Sequence, residues 1–192
     1  MVELAACAFM EPYRISELEG TLLESGLHRL NSLSVDEARL ALLACCGSRR
    51  WAEEIADHRP FSTFENLDTC AKTIWWSLAS EDWMEAFLSH PKIGEQEAQA
   101  TKSEATRRWS AQEQGGMVNA NREVKQTLQE LNRRYQEKFG YIFIVCATGK
   151  TSEELLAILR SRLDNDPAAE LKLAATEQAK ITTLRLQKLL NQ

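Results

Sequence analysis

Apolar residues recur along most of this chain at the three- and four-residue spacing of an amphipathic helix, and the first sharp instance begins at Ser34. Ser34 and Glu37 have capping-box spacing, Ala38, Leu42 and Cys45 or Cys46 follow on one face, and Gly47 ends the run. A short helix is expected from about Arg49 to Asp57, closed by Arg59-Pro60. Ser62 and Glu65 repeat the capping spacing ahead of a helix carrying Leu67, Cys70, Ile74 and Trp75 to about Ala79, and Ser80 caps the next. That helix must stop at or near His90, because Pro91 disfavours helical backbone in the residue before it. After a polar connection from Lys92 to Ser103, a weak helix is expected from Ser110 to about Ala120, weakened further by Gly115-Gly116. Asn121 opens the longest periodic run, with Val124, Leu128, Leu131, Tyr135 and Phe139 on one stripe and Gly140 at its end.

The rhythm then breaks. Tyr141 to Ala147 is continuously apolar, β-branched and aromatic, the pattern of a buried extended segment. Thr151 or Ser152 caps a helix to about Asp164, and Asp166-Pro167 supplies a cap and a first-turn proline for a final helix through Leu171, Ala174, Ile181, Leu184 and Leu189. One extended segment has no second strand to pair with, so the fold class is all-α: a single-domain multi-helix bundle over residues 31–192. Residues 1–30 read as a weakly helical N-terminal extension.

A formal net charge of -5 and a pI near 5.4 argue against an electrostatic footprint for nucleic acid, and no apolar run is long enough to span a membrane. The cysteines, Cys7, Cys45, Cys46, Cys70 and Cys146, are odd in number and lack CxxC spacing, which suits buried thiols in a reducing compartment. Three histidines, His28, His58 and His90, make no convincing metal constellation with them. Thr148-Gly149-Lys150-Thr151 lacks the full spacing of a phosphate loop and reads as a turn entering a helix.

The candidates for chemistry are dispersed. His90 on its proline corner suits proton transfer, or else bonds a backbone carbonyl at a helix end. Ser110, Glu113 and Gln114 share one helical face, or form a capping box at a helix start. Arg185 lies one turn from both Ile181 and Leu189, so it either snorkels or holds an anion.

Five blocks decide among these alternatives. Arg59-Pro60-Phe61, His90-Pro91-Lys92-Ile93-Gly94, Ser110 to Gln114, Lys138 to Ala147 and Lys180 to Leu186 together resemble the OHCU decarboxylases, enzymes of the ureide pathway that act on 2-oxo-4-hydroxy-4-carboxy-5-ureidoimidazoline. The likeness is greatest to the decarboxylase half of plant-type allantoin synthases, and Ile142, Thr148 and Lys92-Ile93 depart from common family residues. The resemblance implies an all-helical homodimer that needs no metal or organic cofactor and converts OHCU to (S)-allantoin. It implies His90 as catalytic acid, aided by Glu113 and Arg185. Pro91, Ser110, Ala111, Gln112, Glu113, Gln114, Phe143, Ile144, Val145, Cys146, Ala147 and Arg185 would contact the substrate. A cytoplasmic setting, or a peroxisomal one in a eukaryote, follows, as does functional coupling to a hydroxyisourate hydrolase; the chain is expected to stand alone. The rival expectation is a non-catalytic helical interaction module of the same fold.

Overall fold

A computed structural model describes residues 12–93, 104–117 and 120–192. Nine α-helices and no strand occur among them: α1 (Pro12–Ser32), α2 (Val35–Cys46), α3 (Arg49–Asp57), α4 (Phe64–Ser77), α5 (Ser80–Leu88), α6 (Glu104–Glu113), α7 (Arg122–Phe139), α8 (Ser152–Arg162) and α9 (Pro167–Leu190). The all-α expectation holds. The organising element is α9, against which α1, α2, α4, α5 and α7 pack. At 24 residues it is longer than α7 at 18, so the longest helix is not the one with the clearest periodic stripe. Its buried face mixes Ala174, Ala175, Ile181 and Leu186 with Glu170, Glu177, Gln178 and Arg185, and that mixture hides its period.

Local chemistry sets most boundaries. The capping boxes at Ser34–Glu37 and Thr151–Glu154 are complete, and Gly47 and Gly140 end α2 and α7 in the left-handed conformation. Two predicted caps shift. Thr63 rather than Ser62 caps α4, accepting from the Asn66 N–H, while Ser80 makes no capping bond and Ala79 occupies that position of α5.

The N-terminal region is helical over Pro12–Ser32, and Leu27 and Leu30 are buried in the core. Arg29 binds carbonyls at and just past the end of α9, with Nη2 to Leu189 O and Nη1 to Gln192 O, both at 2.9 Å. Residues 1–11, and residues 94–103 of the expected polar connection, lie outside the described residues. Residues 142–147 are extended and unpaired by any strand, with Phe143 to Ala147 buried between helices, as the apolar run predicts.

Candidate active site

The His90 corner is built by close approach. Helix α5 ends at Leu88, and the Ser89 and His90 N–H groups bond back to Ala86 O and Phe87 O before Pro91 turns the chain away. Gly47 supports the corner from α2: a Cβ there would stand 2.3 Å from Ser89 Oγ, so no larger residue fits without displacing it. Glu85 ties α5 to the start of α3, accepting from Arg49 N at 3.0 Å and from Arg49 Nε at 2.6 Å.

Ser110 and Glu113 lie at the carboxyl end of α6, which starts six residues earlier than Ser110, so they are not a cap at a helix start. Both are buried, at 7% and 8% exposure, and both reach Arg185, which is 1% exposed. The guanidinium grips the Glu113 carboxylate with two bonds, Nε to Oε1 at 3.0 Å and Nη2 to Oε2 at 2.8 Å. Its Nη2 also donates to Ser110 Oγ at 3.1 Å, and Lys188 Nζ reaches Glu113 Oε1 at 3.3 Å. Snorkelling is thereby excluded: the arginine holds an anion, and that anion is a side chain of the same protein. Because the Ser110 oxygen accepts from Arg185, its own proton is available in another direction.

These groups meet in a cavity of about 420 Å³ including its mouth, lined by His90, Pro91, Ser110, Glu113, Gln114 and the Phe143–Val145 segment, with Ala147 beside them. Arg185 does not line the cavity but stands behind Ser110 and Glu113. Cys146 is buried without lining it, Ala111 faces solvent, and exposed Gln112 borders a separate depression with Gly116 and Lys150. Ile93, Thr148, Ile181 and Leu184 complete the wall and were not singled out by sequence as site residues. Ile181 and Leu184 showed only as members of an apolar stripe.

Burial governs the thiols near the site. Cys46 is pushed up to about 12 chiefly by desolvation, and Cys45 rises further, against the lowering effect of the Arg185 charge. Neither is a nucleophile near neutral pH.

A histidine corner, a pinned carboxylate and a non-helical backbone segment thus converge on one cavity in an otherwise helical domain. The family model for OHCU decarboxylase matches residues 31–187, and the chain belongs to that family. It is 39% identical over 146 residues to the uric acid degradation bifunctional protein TTL of Arabidopsis thaliana, a span covering 76% of this chain and 45% of that protein. It is 30% identical over 140 residues to the 2-oxo-4-hydroxy-4-carboxy-5-ureidoimidazoline decarboxylase of Mus musculus, covering 72% and 78% of the two. A solved OHCU decarboxylase, crystallised in the presence of (S)-allantoin, superposes with a TM-score of 0.66 at 35% identity, covering 78% of this chain and 96% of that one. The chain thus spans less than half the length of the bifunctional plant relative.

Proposed function

We propose that this protein decarboxylates 2-oxo-4-hydroxy-4-carboxy-5-ureidoimidazoline to (S)-allantoin, with His90 delivering the proton that sets the product's handedness. The observation that carries this reading is the shared cavity: His90, Ser110, Glu113 and the Phe143–Val145 segment, remote along the chain, face one small space in a member of this family. The substrate has a saturated ring carbon 4 bearing hydroxyl and carboxylate, next to a C=N bond at carbon 5. Breaking the bond to the carboxylate releases carbon dioxide, the electron pair forms a C4=C5 bond, and the C=N pair moves onto nitrogen, which takes a proton. Protonation at carbon 5 and loss of the carbon 4 hydroxyl proton then give the ring carbonyl of allantoin, with one proton taken up overall.

The side chains divide this work. His90 on a stiff corner reaches one face only, which gives a single enantiomer. Glu113 accepts a substrate N–H, Ser110 and Gln114 meet the ureide oxygens, and Arg185 holds Glu113 in place rather than touching substrate. Free cysteines at Cys45, Cys46, Cys70 and Cys146 suit a cytoplasmic or peroxisomal setting, both reducing. A homodimer, and coupling to the hydrolase that supplies OHCU, belong to the same reading; three relatives are named as bifunctional uric acid degradation proteins. No described helix is long and apolar enough to cross a membrane.

The test is circular dichroism with freshly generated OHCU. Accelerated decay to optically active (S)-allantoin is expected, and uncatalysed decay or a racemic product refutes the proposal. His90→Asn should keep the helical spectrum and abolish turnover; full activity in that variant moves the proton donor elsewhere.

A further inference from the structure

The extended segment is held by three charged side chains that do not line the cavity. Ile144 C=O accepts from Arg162 Nη1 at 2.7 Å, Cys146 N–H donates to Glu177 Oε2 at 2.9 Å, and Cys146 C=O accepts from Lys150 Nζ at 2.7 Å. A trans peptide is planar, so its C=O and N–H point in opposite directions. Each bond therefore aims the other half of its peptide away from the charged side. Val145 N–H lies opposite Ile144 C=O, Val145 C=O opposite Cys146 N–H, and Ala147 N–H opposite Cys146 C=O. Among the described residues no group of the protein bonds these three, and Val145 and Ala147 line the cavity.

The holders are themselves fixed. Arg162 is buried, donates through Nε to Glu170 Oε1 at 2.7 Å, and lies over the Phe143 ring at 4.8 Å. Glu170, fully buried, also takes the Tyr135 hydroxyl and Asn165 Nδ2. Glu177 is paired with Lys180 at 2.5 Å. The Arg162–Glu170 pair, with side chains 5% and 0% exposed, is costly to break, so the orientation of the Ile144–Val145 peptide persists when the cavity is empty.

We infer that Arg162, Glu177 and Lys150 are positioning residues: they hold three successive peptides so that Val145 N–H, Val145 C=O and Ala147 N–H present a donor, acceptor, donor row to a cyclic ureide. The ligand class rests on the proposed reaction. The row complements alternating ring C=O and N–H groups, and it gains as the carbon 4 hydroxyl becomes a carbonyl, because an N–H that faces that oxygen binds it better late in the reaction than early.

The probes are hydantoin, which keeps the ring carbonyls and N–H groups, and 1,3-dimethylhydantoin, which keeps the carbonyls alone. Ligand-observed NMR titration of the wild-type protein should show the dimethyl compound binding about tenfold more weakly or worse, the cost of leaving Val145 C=O unpaired. Glu177→Ala frees the Cys146 peptide, so the preference should fall towards one and KM for OHCU should rise. Glu177→Gln, which still accepts from Cys146 N–H, should preserve both. Equal binding of the two probes to wild type, or an undiminished preference in Glu177→Ala, overturns the inference. If Glu177→Ala loses its helical spectrum, Lys150→Met decides instead: it frees Ala147 N–H, so both probes, which keep the ring carbonyls, should bind it more weakly than wild type, and unchanged affinities overturn the inference. The titration needs no turnover, so a protein that prefers hydantoin yet leaves OHCU untouched retains the row and loses the proposed reaction.

Discussion

Replacing Arg185 by Met keeps the length and apolar bulk of the side chain and removes only the guanidinium. Two bonds to Glu113 and one to Ser110 disappear at a site 1% exposed, leaving Glu113 with Lys188 at 3.3 Å as its remaining cation. Stripping one partner from a buried pair costs about 3 to 5 kcal/mol. The lower end is expected here, about 3 kcal/mol, because Lys188 compensates in part. Urea denaturation followed by tryptophan fluorescence measures it. Combining Arg185→Met with Glu113→Gln should recover stability, since no buried anion is then left alone, and the cycle should give a coupling of about 1 to 3 kcal/mol. Activity should not return in the double variant. Residue 113 is then a neutral Gln released from the fork that held its place in the cavity, and a displacement near 1 Å alone costs on the order of a hundredfold in rate. A single variant within about 0.5 kcal/mol of wild type, the range of ordinary surface changes, or a double variant that turns over normally, would refute the view that this pair is what shapes the cavity.

The acid side of the stability curve should carry the signature of Glu177. Burial raises its carboxyl, but the bonds from Lys180 and Cys146 N–H, with the Lys180 and Arg162 charges, outweigh that and hold it below the ordinary carboxylate value. Its contribution is complete above the ordinary value and is lost as pH falls through the lowered folded one, so the gap in unfolding free energy between wild type and Glu177→Gln should narrow in acid; a gap that widens there contradicts the assignment. Alkylation with iodoacetamide at pH 8, mapped by mass spectrometry, should modify half-exposed Cys70 well before Cys45 or Cys46, whose thiols burial keeps protonated. Early labelling of Cys45 or Cys46 would mean that the α2 face opens readily. Gly26→Val should lower the urea midpoint, because a Cβ at that position would lie 1.9 Å from Leu190 O, and overpacking of this kind costs about 1 to 3 kcal/mol. An unchanged midpoint would show that α1 does not seat on the end of α9 as described.

Much of this architecture was legible because its signals are local. Caps, the Pro91 stop and the Tyr141–Ala147 run each act through a few neighbouring residues, and the helices they delimit agree with the structure to within a residue or two. Where the outcome depends on a distant partner, sequence pattern was mute. Arg185 one turn from two apolar residues describes a snorkelling side chain and an ion-paired one equally well, and only Glu113, 72 positions away, separates them. The same holds for α6: Ser110 and Glu113 have capping-box spacing, but its start at Glu104 turns that spacing into a shared inward face at the carboxyl end. Glu177 and Lys180 resemble any solvated pair three residues apart, and nothing near them in sequence betrays a bond to Cys146.

The proposed ligand accounts for the extended, non-helical stretch in this helical domain. Inside a helix every backbone donor and acceptor away from the ends is already paired, so helices offer a ligand only side chains and their termini. A flat ureide presents several polar edges at once, and binding each with a flexible side chain would cost rotamer entropy each time. A single extended stretch outside any sheet has both backbone edges unclaimed. Arg162, Glu177 and Lys150 occupy one of them and leave the other turned to the cavity. The apolar side chains of Phe143 to Ala147 anchor the stretch between helices, so rigidity comes from packing and polarity from the main chain. On this argument substitutions among the apolar residues of 143–147 should be tolerated in proportion to retained volume, whereas Pro at Val145, which deletes one donor of the free edge, should abolish turnover even where the fold survives.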